Sequence, residues 1–196
     1  DYKYPRLTKI ENGYGGAIEY IYENDNRGVS SWYNYRVKNT NAIASGSTVG
    51  AQGYVYTTPV YAYSNNTGNL IGYTNTTEIV YDFNGVTKLS ETSHQFGTSG
   101  LDIGNEIWTE VKNATGTVLR KNINTYVTDN SEAPFVGWNY RYLSQVQGYI
   151  RTGTSLLLTS KTIYVNDPGN GNLLLKQDYL GGSIYRKEAF EYSTMP

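Results

Sequence analysis

His94 is the single histidine of the 196-residue chain, so any chemistry that needs an imidazole must use it. Ser90, Ser93, Asp82 and Asp102 lie near it in the sequence and are the available partners for a Ser–His–Asp triad. A nucleophilic serine of that kind usually sits in a Gly-x-Ser-x-Gly turn that leads into a helix, and no such pattern is present. We therefore predict that His94 is a strand residue that pairs across a sheet, and we expect no catalysis there.

Carboxylates are the second group that could do chemistry, because a glycosidase needs only two of them. The chain has 17 acidic residues, and nothing in their spacing selects a pair. Those that could lie on strands are Glu19, Asp82, Glu91, Glu106, Glu110 and Asp178. Cysteine is absent, which excludes disulfides, thiolate metal sites and cysteine nucleophiles, and one histidine cannot build a catalytic zinc site. We expect no enzyme activity and no cofactor.

Residues 23–28 superficially resemble the start of a calcium loop, with Glu23, Asp25 and Arg27 at alternating positions. A cation at the third of those positions disfavours metal binding, so we predict an ordinary turn and no metal site.

Aromatic residues form two dense patches that could stack on sugars or form a protein interface. Alternation predicts that Tyr33 and Tyr35 share a strand face that Trp32 does not. The candidate ligand or interface aromatics are Trp32, Tyr33, Tyr35, Trp138, Tyr140 and Tyr142. The alternative, which we favour, is that these rings fill the core of a sheet that is poor in Leu and Ile, because Tyr recurs throughout the chain.

Residues 160–179 combine the features that the rest of the chain repeats. Residues 160–165 are rich in β-branched and aromatic side chains, residues 167–171 have turn chemistry, and residues 173–180 alternate as a strand. Alternation along this strand predicts one face with Leu173, Leu175, Gln177 and Tyr179, and the other with Leu174, Lys176, Asp178 and Leu180. This pattern predicts a β-hairpin.

The same unit recurs at residues 61–73 and 111–121, with a looser copy at residues 81–89. Recurring hairpins indicate a sheet built from repeats, in which each repeat packs against its neighbours. A glycine occupies the turn of each unit, where we expect φ > 0 or too little space for a Cβ: Gly68, Gly85, Gly116 and Gly171.

These aromatic–x–(Asp/Asn)–x–x–Gly–Asn–Leu units resemble the tyrosine–aspartate (YD) repeats of bacterial Rhs proteins and of related toxin-complex shell proteins. Tyr81-Asp82 followed by Gly85 is nearest to the repeat for which the family is named. Residues 4–16, 31–37 and 94–104 look like the region that precedes regular repeats in large Rhs-type surface proteins. The family's terminal cleavage motif and toxin domain are lacking, so the resemblance implies a piece of shell.

Composition favours a sheet with half-wet faces. Only 38% of the residues are hydrophobic, and tyrosine and glycine each number 21. We expect a thin core spread along the sheet, since tyrosine packs its ring while its hydroxyl reaches water. The net charge of −1 argues against nucleic-acid binding, and no apolar run is long enough for a membrane helix.

Several local expectations follow along the chain. Residues 39–53 are rich in Ser, Thr and Gly and are predicted to form a loop or a weak strand. Pro59 should interrupt a strand at an edge or a bulge. The terminal strands are expected near residues 7–10 or 17–22 and near residues 184–192.

The sequence thus predicts an all-β protein of antiparallel hairpin repeats that form a curled sheet or a shell-like β-solenoid, with a β-sandwich as the alternative. Residues 1–196 are expected to be one repeat segment, a fragment or processed piece of a larger secreted protein. The expected function is structural and extracellular or at the cell surface, through strand pairing with other copies or flanking repeats. The alternative is a carbohydrate-binding adhesin that uses Trp and Tyr platforms.

Overall fold

The computed structural model describes residues 6–25, 34–57, 59–61, 70–98, 100–129, 140–167 and 171–192. About three quarters of these residues are in strands, which confirms the predicted all-β class against an average strand content of about 20–25%. The strands are β1 (Lys9–Glu11), β2 (Gly16–Asp25), β3 (Asn34–Ala44), β4 (Ser47–Tyr56), β5 (Pro59–Tyr61), β6 (Leu70–Tyr73), β7 (Asn75–Tyr81), β8 (Lys88–Phe96), β9 (Glu106–Asn113), β10 (Val118–Asp129), β11 (Tyr140–Thr152), β12 (Ser155–Asn166), β13 (Leu173–Leu180) and β14 (Ser183–Ala189).

Helix is confined, within the described ranges, to one 3₁₀ turn at Gly100–Asp102. Those ranges contain no helix with the length and apolarity that crossing a membrane requires. Backbone hydrogen bonds join twelve strands in the order β1-β2-β3-β4-β7-β8-β9-β10-β11-β12-β13-β14, while β5 and β6 form a separate pair. Strands that are adjacent in the sequence are thus mostly adjacent in the sheet, as short hairpin connections dictate.

The chain divides into two compact units. The first consists of Asp1–Tyr56, Thr76–Ser93 and Lys112–Thr117, and the second of Thr57–Asn75, His94–Val111 and Val118–Pro196. In the first unit β1, β2, β3, β4 and β7 pair antiparallel with one another in turn. Its register brings Thr40, Gln52 and Val80 into one cross-strand row.

Of the two alternatives predicted for residues 39–53, a loop or a weak strand, the loop is wrong and a strand is observed. These residues form most of a regular hairpin, with β3 continuing to Ala44 and β4 starting at Ser47. Ser45 and Gly46 connect the strands with φ of 51° and 80°, the positive pair that a two-residue type I′ turn requires. The small polar residues that suggested a loop are tolerated because β2 bonds the outer side of β3 here and β7 bonds β4 from Ala51 onward.

The turn predicted at residues 23–28 does not include residues 23–25, and residues 26–28 lie outside the described residues. Residues 23–25 lie in β2, where Glu23 is opposite Arg36. The pairing with β3 continues through Asp25, the last described residue of this segment, so strand pairing overrides turn propensity at residues 23–25. The expected interruption at Pro59 is confirmed, since β4 ends at Tyr56 and β5 starts at Pro59. Proline has no N–H to donate to a neighbouring strand, and it is tolerated at the first residue of a strand.

In the second unit, strands β10 to β14 pair antiparallel in sequence order, and each neighbouring pair contains one register irregularity. The predicted hairpin at residues 160–179 is confirmed, with Thr162 opposite Asp178 and Ile163 opposite Gln177. The register irregularities between these strands are β-bulges, which increase local twist and bend a strand.

The predicted turn glycines have positive φ wherever they are described: 71° at Gly85, 84° at Gly116 and 77° at Gly171. The remaining one, Gly68, lies outside the described residues. At Gly116 the amide donates to the Asn113 carbonyl oxygen over 3.0 Å, which closes a tight turn. Glycine is favoured at all three because φ > 0 strains an L-residue with a Cβ.

The core is thinner than predicted. No hydrophobic residue is buried among those described; the buried positions are Gly53, Ser93 and Gly148. In the first unit Ile18 and Val55 point to opposite sheet faces and are 44% and 48% exposed. In the second unit, Val165 and Leu180 also point to opposite sheet faces and are 42% and 64% exposed. Within the described residues, each unit therefore has water on both faces of its strands.

Candidate functional site

His94 lies on β8 and binds a carboxylate. Its Nδ1 is 2.5 Å from Glu106 Oε1 and 3.3 Å from Thr109 Oγ1. The Glu106 carbonyl oxygen accepts hydrogen bonds from Asn124 Nδ2 at 2.9 Å and from the Tyr126 hydroxyl at 3.0 Å. Burial raises the pKa of Tyr126, and the neighbouring Glu106 carboxylate adds to the rise, so this hydroxyl stays a donor at neutral pH.

This arrangement does not form a triad. The Thr109 hydroxyl and the Glu106 carboxylate contact the same imidazole nitrogen, whereas a catalytic histidine places its acid and its nucleophile on opposite nitrogens. Asp102, a predicted partner, instead forms an ion pair with Arg141. Among the described residues, His94 thus joins neighbouring strands through a polar cross-strand contact, in line with its expected role.

Ser93, the only buried polar residue of the described ranges, lies in a charged cluster of the first unit. Its Oγ is 3.2 Å from Thr77 Oγ1 and accepts from Lys112 Nζ at 3.4 Å. A serine beside a lysine can act as a nucleophile when the lysine is neutral. Here Lys112 Nζ is instead engaged in an ion pair with Glu91 at 3.0 Å.

Glu91 is held by two cations. Lys88 Nζ and Lys112 Nζ lie 2.9 and 3.0 Å from its two carboxylate oxygens. Hydrogen bonds from Lys88, and then from Lys112, lower the pKa of Glu91. A lowered pKa makes this group a poor general acid at neutral pH.

The other candidate carboxylates are engaged in a similar way. Glu110 binds Lys121 Nζ at 2.8 Å, and Asp178 accepts from Thr162 Oγ1 at 2.8 Å. The hydrogen bond from Thr162 lowers the pKa of Asp178, with a smaller contribution from Lys176. Glu19 lies 3.9 Å from Lys9 Nζ. Asp82 is the exception to the predicted strand placement, because it follows β7 and lies in the turn that Gly85 closes.

Metal-ligating residues do not cluster in the described ranges, where no group of three or more His, Cys, Asp or Glu side chains could hold an ion. Glu23, the first position of the calcium-loop pattern, instead accepts from Arg36 Nε at 2.7 Å.

The candidate aromatics are described only in part. Three of them lie outside the described residues: Trp32, Tyr33 and Trp138. The structure describes only the backbone of Tyr140, which is in a strand. Tyr35 is 42% exposed, and the Arg6 guanidinium carbon lies 3.0 Å from its ring centroid. This contact covers part of the exposed ring with a cation.

Tyr142 has a packing role in the second unit. Its ring lies against the Gly171 turn, where a Cβ on the glycine would be 2.8 Å from Tyr142 Cε1. It also lines a cavity of about 340 Å³ together with Arg141, Leu143, Tyr164, Asn166 and Leu173. Gly171 is therefore needed for two reasons, its positive φ and the approach of this ring.

A groove of about 460 Å³ lies on the sheet face of the first unit. We call it the Gln52 groove; the sheet face that lines it includes Ile18, Tyr20, Thr40, Ala42, Gly50, Gln52, Tyr54 and Val80. The depression arises because Ala42 lies between Ile18 and Gly50 in a single cross-strand row, so a methyl group and a glycine lie beside one large side chain.

A hydrogen-bonded row runs across the Gln52 groove. Gln52 Nε2 donates to Glu78 Oε1 at 2.9 Å, while Gln52 Oε1 accepts from Thr40 Oγ1 at 3.3 Å and from the Tyr54 hydroxyl at 3.2 Å. The row fixes the orientation of the amide, because the reversed amide would place its oxygen against the Glu78 carboxylate. Sequence reasoning missed Thr40, Gln52 and Glu78, since only the strand register brings them together.

Comparison with known proteins gives no assignment. No family model matches the chain, and no curated protein matches it. The resemblance to Rhs repeats thus stays a prediction.

Proposed function

We propose that the chain is a structural, non-enzymatic β-sheet segment that associates with further copies of itself or with further chain through its terminal strands. The proposal includes the Rhs-repeat-like character and the extracellular or cell-surface location that the hairpin repeats suggest. In this proposal, main-chain hydrogen bonds that extend from one repeat to the next stabilise the protein, and a buried core does not.

The observation that supports this proposal is the absence of any buried hydrophobic residue among those described. Burial of an apolar side chain contributes about 1.5–3 kcal/mol, and a domain of this size usually depends on many such residues. Apolar side chains that are about half exposed on both faces gain stability when neighbouring strands continue the sheet and pack beside them.

The outer strand β14 has backbone groups available for such an extension. The Phe190 amide donates to the Leu174 carbonyl oxygen at 3.0 Å. Counting back along β14 from Phe190, the backbone N–H and C=O groups of successive residues point alternately toward β13 and away from it. Lys187 and Ala189 are opposite Gln177 and Leu175 in non-hydrogen-bonded pairs, and their N–H and C=O groups point away from β13. An incoming strand would use these groups.

The outer strand β1 is the other edge. The Tyr20 amide donates to the Thr8 carbonyl oxygen at 2.9 Å, so Lys9 and Glu11 have the outward-pointing backbone groups there. Strand β1 has three residues, and its two charged side chains pair with each other. Short, charged edges resist pairing, so we expect the seven-residue β14 to be the principal site of association.

The test is sedimentation velocity of the purified chain over a range of concentrations. We expect association that grows with concentration and that Ala189→Pro abolishes, because proline removes the outward N–H of β14. Ala189→Thr is the matched control: it keeps the N–H and suits a strand, so it should associate like the parent chain.

Two further variants separate edge pairing from loss of folding. Glu188→Pro removes an N–H that bonds β13, so it should lower the melting temperature as well as association. Ile184→Pro probes the start of the same strand. A chain that stays monomeric at high concentration, or association that Ala189→Pro leaves unchanged, would refute edge pairing at β14.

A further inference from the structure

We propose that the Gln52 groove binds a neutral saccharide, independently of the association through β14. The residues concerned differ from the Trp and Tyr platforms that the sequence suggested, and they are all in the first unit.

The size and composition of the groove suit a small polar ligand. Its volume of about 460 Å³ lies within the range of about 300–1,000 Å³ that is typical of small-molecule sites. Ala42 and Gly50 leave backbone close to the surface, and Tyr20 and Val80 border this floor. An apolar floor beside a tyrosine fits the C–H face of a pyranose ring.

The polar row offers donors and acceptors in alternation. Gln52 uses one amide hydrogen for Glu78 and both lone pairs of its oxygen for Thr40 and Tyr54. The second amide hydrogen and the second Glu78 oxygen have no partner among the described residues. A sugar hydroxyl both donates and accepts, so adjacent hydroxyls can satisfy this donor and this acceptor together.

The charge of the groove selects among polar ligands. None of the described residues that line it is a lysine or an arginine, and Glu78 is opposite Tyr54, which lines it. A phosphate or a carboxylate would meet this negative charge without a compensating cation. One carboxylate also falls short of the six to eight oxygen ligands that calcium takes. A neutral polyol is the remaining class that matches the row.

The experiment uses the full chain labelled with ¹⁵N and titrated with cellotriose, maltotriose, chitotriose and lactose, with sialyllactose as the acidic counterpart. We expect at least one neutral sugar to shift the Gln52 side-chain amide and the backbone amides of Ala42 and Gly50. Sialyllactose should bind more weakly than lactose, because its carboxylate approaches Glu78.

Matched variants test the hydrogen-bonded row. Gln52→Leu should weaken binding about tenfold or more, since it removes the donor and leaves Thr40, Tyr54 and Glu78 without their common partner. The control is Gln177→Leu in β13, because Gln177 accepts from the Tyr179 hydroxyl at 3.4 Å in the same Gln-x-Tyr arrangement. This variant should bind like the parent chain.

Thr40→Val gives a second readout should Gln52→Leu fail to fold, because it removes one hydroxyl at constant shape and should weaken binding several-fold. The proposal is overturned if no neutral sugar shifts these amides, if the shifts map elsewhere, or if Gln177→Leu weakens binding as much as Gln52→Leu. None of these outcomes depends on whether the chain associates.

Discussion

Gly171 and Gly116 form a matched pair that measures how tightly the turn between β12 and β13 packs. Both have positive φ, 77° and 84°. A Cβ at Gly116 would meet nothing within 4 Å, whereas a Cβ at Gly171 would be 2.8 Å from Tyr142 Cε1 and 3.4 Å from Cζ. Alanine at either position is strained by φ, but only at Gly171 must a ring also move.

The expected costs follow from this difference. Gly116→Ala should lower the free energy of unfolding by about 1–2 kcal/mol, the cost of placing an L-residue in the left-handed region. Gly171→Ala should cost the same plus about 1–3 kcal/mol for overpacking against Tyr142. The larger side chain in Gly116→Val, being β-branched, should cost more than Gly116→Ala.

Urea unfolding followed by circular dichroism measures these costs. The same substitutions in a Tyr142→Ala background show how much of the cost at Gly171 comes from the tyrosine ring. Without the ring, Gly171→Ala should cost only as much as Gly116→Ala does in the parent chain. The two residues in contact should therefore show a coupling energy in a double-mutant cycle. Equal costs of the two glycine substitutions in the parent chain, or an unchanged cost of Gly171→Ala in the Tyr142→Ala background, would refute this packing.

Three further outcomes are expected. Because the folded pKa of Glu91 is lowered from 4.5, its contribution to stability is present above that pH and is lost as pH falls through the folded value; Glu91→Gln should flatten the acid limb of melting temperature against pH. Ser45→Asn should raise the melting temperature and Ser45→Val should lower it, because asparagine tolerates positive φ in a type I′ turn. Glycoside, ester and peptide substrates should not be hydrolysed; turnover that His94→Gln abolishes would contradict the non-enzymatic proposal.

Much of the fold could be predicted from local signals. Turn glycines such as Gly85 and Gly116 mark the hairpins, and alternation with turn chemistry predicts the β12–β13 hairpin, although not its register. The strands and turns follow from such signals because each hairpin forms from residues that are neighbours in the sequence. The sequence of one hairpin therefore contains most of the information about its structure.

The Gln52 groove could not be predicted, because it depends on register between strands that are not joined by a predictable turn. Thr40 and Gln52 lie in the segment for which composition predicted a loop or a weak strand, and Glu78 is 26 residues beyond Gln52. A one-residue slip of β4 would move Gln52 to the other face and separate it from both partners. The turn residues Ser45 and Gly46 fix that register, although serine is a weak signal for a type I′ turn.

Edges and faces of the sheet offer separate surfaces. An incoming strand at β14 uses backbone groups of Lys187 and Ala189, which lie in the plane of the sheet, whereas a sugar in the Gln52 groove uses side chains that point out of it. Pairing of β14 with β14 of a second copy is isologous and closes on a dimer, whereas pairing of β14 with β1 of the next copy would add copies in an open series. Each added copy would then present one more groove. If both proposals hold, weak binding at each groove becomes strong binding by the assembly through multivalency, without any further contact in a single chain.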